Sequence, residues 1–143
     1  MRYLIPIAAR DGMFPREEFH FPKPLIEIDG SPMMGLVVNS IRARDPSAKF
    51  IFVILRQDAV EFSLDSILKI LAGEDSVVIE LANPTMGAVC SALMALDHIP
   101  EDEPLVICNG DQIIDADLAG IASHFVQSGH EAGVVTFNSV HPR

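Results

Sequence analysis

Basic side chains are scarce in this chain: 10 Lys and Arg face 20 Asp and Glu, for a formal charge of −10. That balance argues against DNA and RNA as partners, because phosphate backbones are bound by clustered Lys and Arg. A small phosphorylated ligand remains open, since a few local basic groups and a metal ion can hold one. Long apolar runs are also missing. None approaches the ~20 residues that a membrane span needs, so no membrane partner is expected. The two cysteines, Cys90 and Cys108, lack metal-ligand spacing. Both lie in apolar segments and read as small, reduced core residues of a cytoplasmic protein. The five histidines form no HxxxH or HExxH pattern, and Ser91 and Cys90 have no base nearby in sequence. Nucleophilic catalysis is therefore unsupported. Repeats, low-complexity tracts and linkers are absent too. The apolar start is short, holds Pro6 and runs into Arg10-Asp11, which fits a first buried strand better than a signal peptide.

What is present is a chain of 143 residues, 49% apolar, with mean hydropathy +0.30. That is enough for one globular domain with a real core and too little for two. Strand-like and helix-like segments alternate throughout. The pattern predicts an α/β fold: a three-layer, doubly wound, mainly parallel sheet of about five strands. Strands are expected over residues 2–8, 49–55, 76–81, 105–109 and 132–137, with a short extended piece at 25–28 and a turn at Asp29-Gly30. Ser31 reads as a helix N-cap with Pro32 in the first helical position. Helices are expected to about residue 44, then over 58–71, 86–96 and 116–128, with Gly73 and Gly129 as stops.

Ligands of such sheets sit outside the carboxyl ends of the strands. Three segments meet that edge: the proline-rich loop 9–24, the turn 83–88 and the turn 109–115. The loop gathers Arg10, Arg16 and Lys23, which suit phosphate contact and equally suit a solvated loop balancing Glu17 and Glu18. Lys23 stands between Pro22 and Pro24, so its charge has a fixed base. Gly12 is the loop's single glycine. Thr85, Gly87 and Ala88 either cap and pack a helix start or let a flat base approach the backbone. In Leu105-Val-Ile-Cys-Asn-Gly-Asp111 a buried strand runs into Asn109, Gly110 and Asp111. Asp111 either caps its turn or binds a metal ion. Asp115 or Asp117 is expected to cap the next helix.

The stretches Ile5-Pro-Ile-Ala-Ala9, Phe21-Pro-Lys-Pro-Leu-Ile-Glu-Ile-Asp-Gly-Ser-Pro-Met33, Thr85-Met-Gly-Ala88 and Leu105-Val-Ile-Cys-Asn-Gly-Asp111 resemble the sugar-nucleotide nucleotidyltransferases, also called sugar-phosphate pyrophosphorylases, with a GT-A, Rossmann-like core. The resemblance spans nearly the whole chain but only the amino-terminal half of a usual family member. It implies a single nucleotide-binding domain over 1–143, cut before the sugar-binding half. It also implies transfer of a nucleotide from a nucleoside triphosphate to a sugar phosphate with release of pyrophosphate. Lys23, with Arg10 and Arg16, would stabilise phosphate charge, and Asp111 would bind Mg²⁺. Ala8, Ala9, Gly12, Thr85, Gly87, Ala88, Asn109 and Gly110 would surround the nucleotide. Arg10-Asp11-Gly12-Met13-Phe14 departs from the family's Gly-x-Gly-Thr/Ser-Arg loop. That departure leaves two alternatives: a GT-A glycosyltransferase, or a catalytically degenerate nucleotide-sugar binding module. A receiver-like regulatory domain would need more acidic residues after the first strand than Asp11 supplies. Base, sugar and oligomeric state are unspecified, and a homo-oligomer is compatible with the sequence.

Overall fold

The computed structural model describes residues 1–9, 14, 15, 17–136 and 138. Its elements in chain order are β1 (Arg2–Pro6), a 3-10 turn (Lys23–Leu25), β2 (Glu27–Ile28), β3 (Ser31–Pro32), α1 (Met33–Arg44), β4 (Lys49–Leu55), α2 (Arg56–Phe62), α3 (Leu64–Ala72), β5 (Val77–Leu81), α4 (Ala88–Leu93), a 3-10 turn (Leu96–His98), β6 (Leu105–Ile107) and α5 (Leu118–Gln127). The main sheet has the order β5-β4-β1-β6, and every pairing in it is parallel.

β4 shows why the sheet forms. Phe50 through Leu55 are all buried, the near-continuous apolar run expected of a parallel strand covered on both faces. Alternate residues divide between two cores. Tyr3, Ile5, Phe50, Phe52 and Ile54 pack with Met34, Val38 and Ile41 of α1 and Leu64 and Leu68 of α3. Leu4, Ile51, Val53, Leu55 and Leu81 pack on the other face with Ala92 and Ala95. Each such side chain, once fully buried, contributes about 1.5–3 kcal/mol of transfer free energy. The three-layer, doubly wound reading therefore holds.

Several local expectations change. The described residues of the main sheet form four strands, not five. Residues 132–136 belong to no strand, and a Cβ on Gly133 would collide with the Phe125 ring of α5. The first strand ends at Pro6 rather than residue 8, although the Ile7 N–H still donates to the Val53 carbonyl at 2.8 Å. Ser31 and Pro32 are not cap and first turn of α1. They form β3, and Pro32 is itself the N-cap. The cause is the turn before them: Asp29 and Gly30 both take positive φ, 50° and 79°, the requirement of a two-residue hairpin. That hairpin sets Ser31 opposite Ile28. The long helix expected over 58–71 is two helices, separated at Ser63 with φ 54°. Cys108 is half-buried, as a small core thiol would be, but Cys90 is exposed.

Among the described residues no helix is long and apolar enough to cross a membrane.

Candidate functional site

From β1 the chain moves outward to β4 and β5, then returns to β6 on the other side of β1. The carboxyl ends of β1 and β6 thus flank a switch point, where an open α/β sheet leaves a crevice. A cleft of about 840 Å³ opens there, within the usual size range for small-molecule sites. Pro6, Ile7 and Ala9 line it from the end of β1, and Asn109, Gly110 and Asp111 from the end of β6. Phe14, His20, Pro22, Lys23 and Pro24 line it from the first loop. Leu55, Gln57, Asp58, Glu61 and Phe62 form its remaining wall.

Lys23 is positioned by its neighbours. Pro22 and Pro24 are buried, and their fixed φ stiffens the turn. The Leu25 N–H donates to the Pro22 carbonyl at 2.8 Å, and the Ile26 N–H to the Lys23 carbonyl at 3.2 Å. From this base the Lys23 ammonium reaches 2.7 Å from Asp111 Oδ2. It also lies 5.2 Å from the Phe14 ring centroid, in the range of a cation–π contact. The two ion-paired side chains are 22% and 38% exposed. With that much water present, such a pair is worth roughly 0.2–1 kcal/mol. Its main effect is to aim one charge from each side of the cleft at the same point.

Gly110 allows Asp111 to come so close. A Cβ there would stand 2.5 Å from Ile7 Cγ2 and 2.9 Å from Met34 Cε. The turn therefore lies directly on the end of β1, at a distance only glycine permits. The other carboxylates of this segment have separate work. Asp117 accepts from the Gly120 N–H at 2.9 Å and caps α5. Asp115 pairs with Arg44. Asp111 is the one of the three that lines the cleft.

The other expected site residues divide. Ala9, Asn109 and Gly110 line the cleft. Ala8 does not; it is 4% exposed and packs in the Leu4 core. Thr85, Gly87 and Ala88 follow β5, beyond β4, and are not among the residues lining the cleft. The Thr85 hydroxyl donates to the Gly87 carbonyl at 2.9 Å and lies 2.7 Å from Ser91 Oγ. Gly87 has φ 141°, which favours glycine, and nothing lies within 4 Å of its missing Cβ. Arg10, Gly12 and Arg16 lie outside the described residues.

Sequence reasoning missed the α2 wall. Arg56 opens a helix directly after Leu55, with no intervening loop. The first turns of α2 must therefore stand at the carboxyl edge, and that adjacency was the available signal. His20, read as a surface or satisfied histidine, also lines the cleft. Its ring centroid lies 5.1 Å from Phe21 and 6.0 Å from Phe62, and Phe21 and Phe62 are 6.0 Å apart, all edge-on. This cluster ties the first loop to α2.

Among the described residues no group of three His, Cys, Asp or Glu converges to hold a metal ion. Four carboxylates line the cleft, Glu17, Asp58, Glu61 and Asp111, and Asp111, at the end of β6, would serve as a one-carboxylate ligand. That fits Mg²⁺, which keeps most of its water and takes its remaining oxygens from ligand phosphates.

No family model matches the chain. The bifunctional protein GlmU of Methanococcus aeolicus is 26% identical over 121 residues, which cover 85% of this chain and 26% of that protein. The nucleoside-diphosphate-sugar pyrophosphorylase of Vibrio cholerae superposes with a TM-score of 0.67 at 19% identity, over 83% of this chain and 52% of that one. A UDP-glucose pyrophosphorylase solved with UDP-glucose gives 0.62 at 17% identity, over 90% and 54%. The chain thus spans about a quarter of the matched relative and about half of each solved neighbour. Sequence and fold point the same way: over part of their length the chain is similar to GlmU in sequence and to sugar-nucleotide pyrophosphorylases in fold.

Proposed function

We propose that the chain is the nucleotide-binding part of an Mg²⁺-dependent nucleotidyltransferase acting on a nucleoside triphosphate and a sugar phosphate. The observation that carries this reading is the Lys23–Asp111 pair, 2.7 Å apart at the switch point of the sheet. A phosphate oxygen of the sugar phosphate attacks the α-phosphorus of the triphosphate. The bond from that phosphorus to the bridging oxygen breaks, and pyrophosphate leaves. Little covalent work falls to the protein in such a displacement, so positioning and charge neutralisation dominate.

Lys23 places a positive charge beside the phosphates from a base that does not move with the ligand. Arg10 and Arg16 belong to the same loop and add phosphate contacts in this reading. Asp111 would hold Mg²⁺, which supplies charge neutralisation at the phosphate oxygens when bound. The backbone of Ala9, Asn109 and Gly110 borders the ligand. Gly87 is outside the cleft lining, but it is open on its Cβ side, and in this reading the base extends from the cleft past β4 to lie against its main chain. The sugar-binding half is assigned to further sequence, in keeping with a match to about half of each solved neighbour. A reducing, cytoplasmic setting suits the two free thiols.

Titration calorimetry with the four nucleoside triphosphates and Mg²⁺ tests the binding step. At least one should bind, and Asp111→Ala should weaken it. No binding, or binding indifferent to Asp111→Ala, refutes the reading. A pyrophosphate-release assay separates the second reading, which the altered Arg10–Phe14 sequence favours. A nucleotide-sugar binding module keeps affinity for the nucleotide sugar and releases no pyrophosphate.

A further inference from the structure

We propose that Lys23 and a divalent cation are alternative partners of Asp111, so that the free protein excludes the free cation and accepts it only together with a phosphate ligand. This rests on the reading of Asp111 as the cation ligand. The Lys23 ammonium stands 2.7 Å from Asp111 Oδ2 and so occupies one face of the carboxylate a cation would use. A cation on that oxygen would face the ammonium at close range. With the Lys23 and Asp111 side chains only 22% and 38% exposed, like charges there are only partly screened.

Lys23 cannot simply withdraw its backbone. Pro22 and Pro24 are buried on either side, and the 3-10 turn is closed by its own hydrogen bonds. The freedom lies in the four-carbon stem, which can turn the ammonium from a carboxylate to a nearby phosphate oxygen. A triphosphate entering the cleft brings several such oxygens. It draws Lys23 off Asp111 and at the same moment supplies the remaining oxygens that Mg²⁺ needs. Asp111 is then freed for the cation by the ligand that requires it. Without phosphate, a carboxylate already answered by a lysine is a poor site for a hydrated dication. The ion pair therefore couples cation entry to nucleotide entry through a single side chain.

The test uses Mn²⁺ alone as probe, read by electron paramagnetic resonance or calorimetry with no nucleotide and no activity measurement. Wild-type protein should bind Mn²⁺ weakly. Lys23→Met should bind it roughly three- to tenfold more tightly, the range expected for removing one partly exposed competing charge. Lys23→Gln is the second variant, should Lys23→Met not fold, and should do the same. Lys23→Arg should stay weak. Asp111→Asn should abolish the gain in the Lys23→Met background. Equal or weaker Mn²⁺ binding by both neutral variants overturns the proposal, as does a gain that survives Asp111→Asn. Failure of the function above is read separately. If no triphosphate binds with Mg²⁺ present, that assignment falls, while the Mn²⁺ comparison still decides the competition.

Discussion

Gly110→Ala is the most demanding test of how the site is built. The new methyl would stand 2.5 Å from Ile7 Cγ2, 2.9 Å from Met34 Cε and 3.4 Å from Ile5 Cγ2. Met34 Cε is the end of a flexible chain and can give way. Ile7 is β-branched, and its N–H is bonded to the Val53 carbonyl at 2.8 Å, so it cannot. The turn itself must lift. Overpacking of this kind costs about 1–3 kcal/mol. For a domain of this size that is a fall in Tm of about 3–10 °C. The lifted turn carries Asp111 with it, away from Lys23, so nucleotide affinity should fall as well. The assay is thermal unfolding of a double-mutant cycle. Ile7→Ala removes the offending Cγ2, so Gly110→Ala should cost less in the Ile7→Ala background, with a coupling of about 0.5–3 kcal/mol. A Gly110→Ala protein that melts like wild type refutes the close-approach argument. So do two penalties that simply add.

Two further outcomes follow from buried groups away from the cleft. Asp45 is 6% exposed and accepts from the Tyr3 hydroxyl at 3.2 Å, the Ser47 N–H at 3.0 Å and the Ser47 hydroxyl at 2.6 Å. Asp45→Ala strands the Tyr3 hydroxyl and should cost about 1–3 kcal/mol near neutral pH by urea unfolding. Burial raises the Asp45 carboxyl, but the Ser47 hydroxyl, the amino-terminal charge, the Ser47 N–H and the Tyr3 hydroxyl outweigh it and leave it below its usual 3.8. A depressed carboxyl stabilises above its unfolded value and loses that contribution as pH falls through the folded value. The wild-type advantage should therefore shrink below about pH 4, and an advantage that grows in acid counts against the assignment. Burial pushes the Cys108 thiol up to about 11, whereas Cys90 is exposed. At pH 8 a thiol reagent should label one cysteine quickly, and Cys90→Ser should remove the fast phase. Fast labelling that survives Cys90→Ser would show Cys108 to be open.

How much of this could be read from the sequence depended on whether the deciding cause was local. β4 matches its expected bounds, because the short unbroken run from Phe50 to Leu55, rich in aromatic and β-branched residues, suits a strand buried on both faces. The break at Ser63 was invisible. The apolar stripe of α3 continues the phase of α2, and a serine at φ 54° carries no glycine to announce it. Residues 132–136 have strand-like composition, but a strand requires a partner edge, and composition does not reveal whether one is offered. In the site, the order of segments located Lys23 and Asp111 at one edge. Their contact depends on how far the Gly110 turn descends onto Ile7, which is a tertiary fact. The α2 wall and His20 depend on where helices land, which spacing along the chain does not encode.

The strand order has a consequence for how the molecule comes into being. β1 is made before the other described strands of its sheet, yet Arg2 pairs with Lys49 on one side and with Leu105 on the other. The second junction, which the Arg2 guanidinium also clasps through Glu103 at 2.5 Å, closes a loop of on the order of a hundred residues, and long-range parallel pairings of this kind form slowly. β1, β4 and β5 can zip together while β6 is still being synthesised. The crevice has only one bank until β6 docks. The cleft therefore forms only once β6 is in place, and a nascent chain can hold much of its core before the cleft exists.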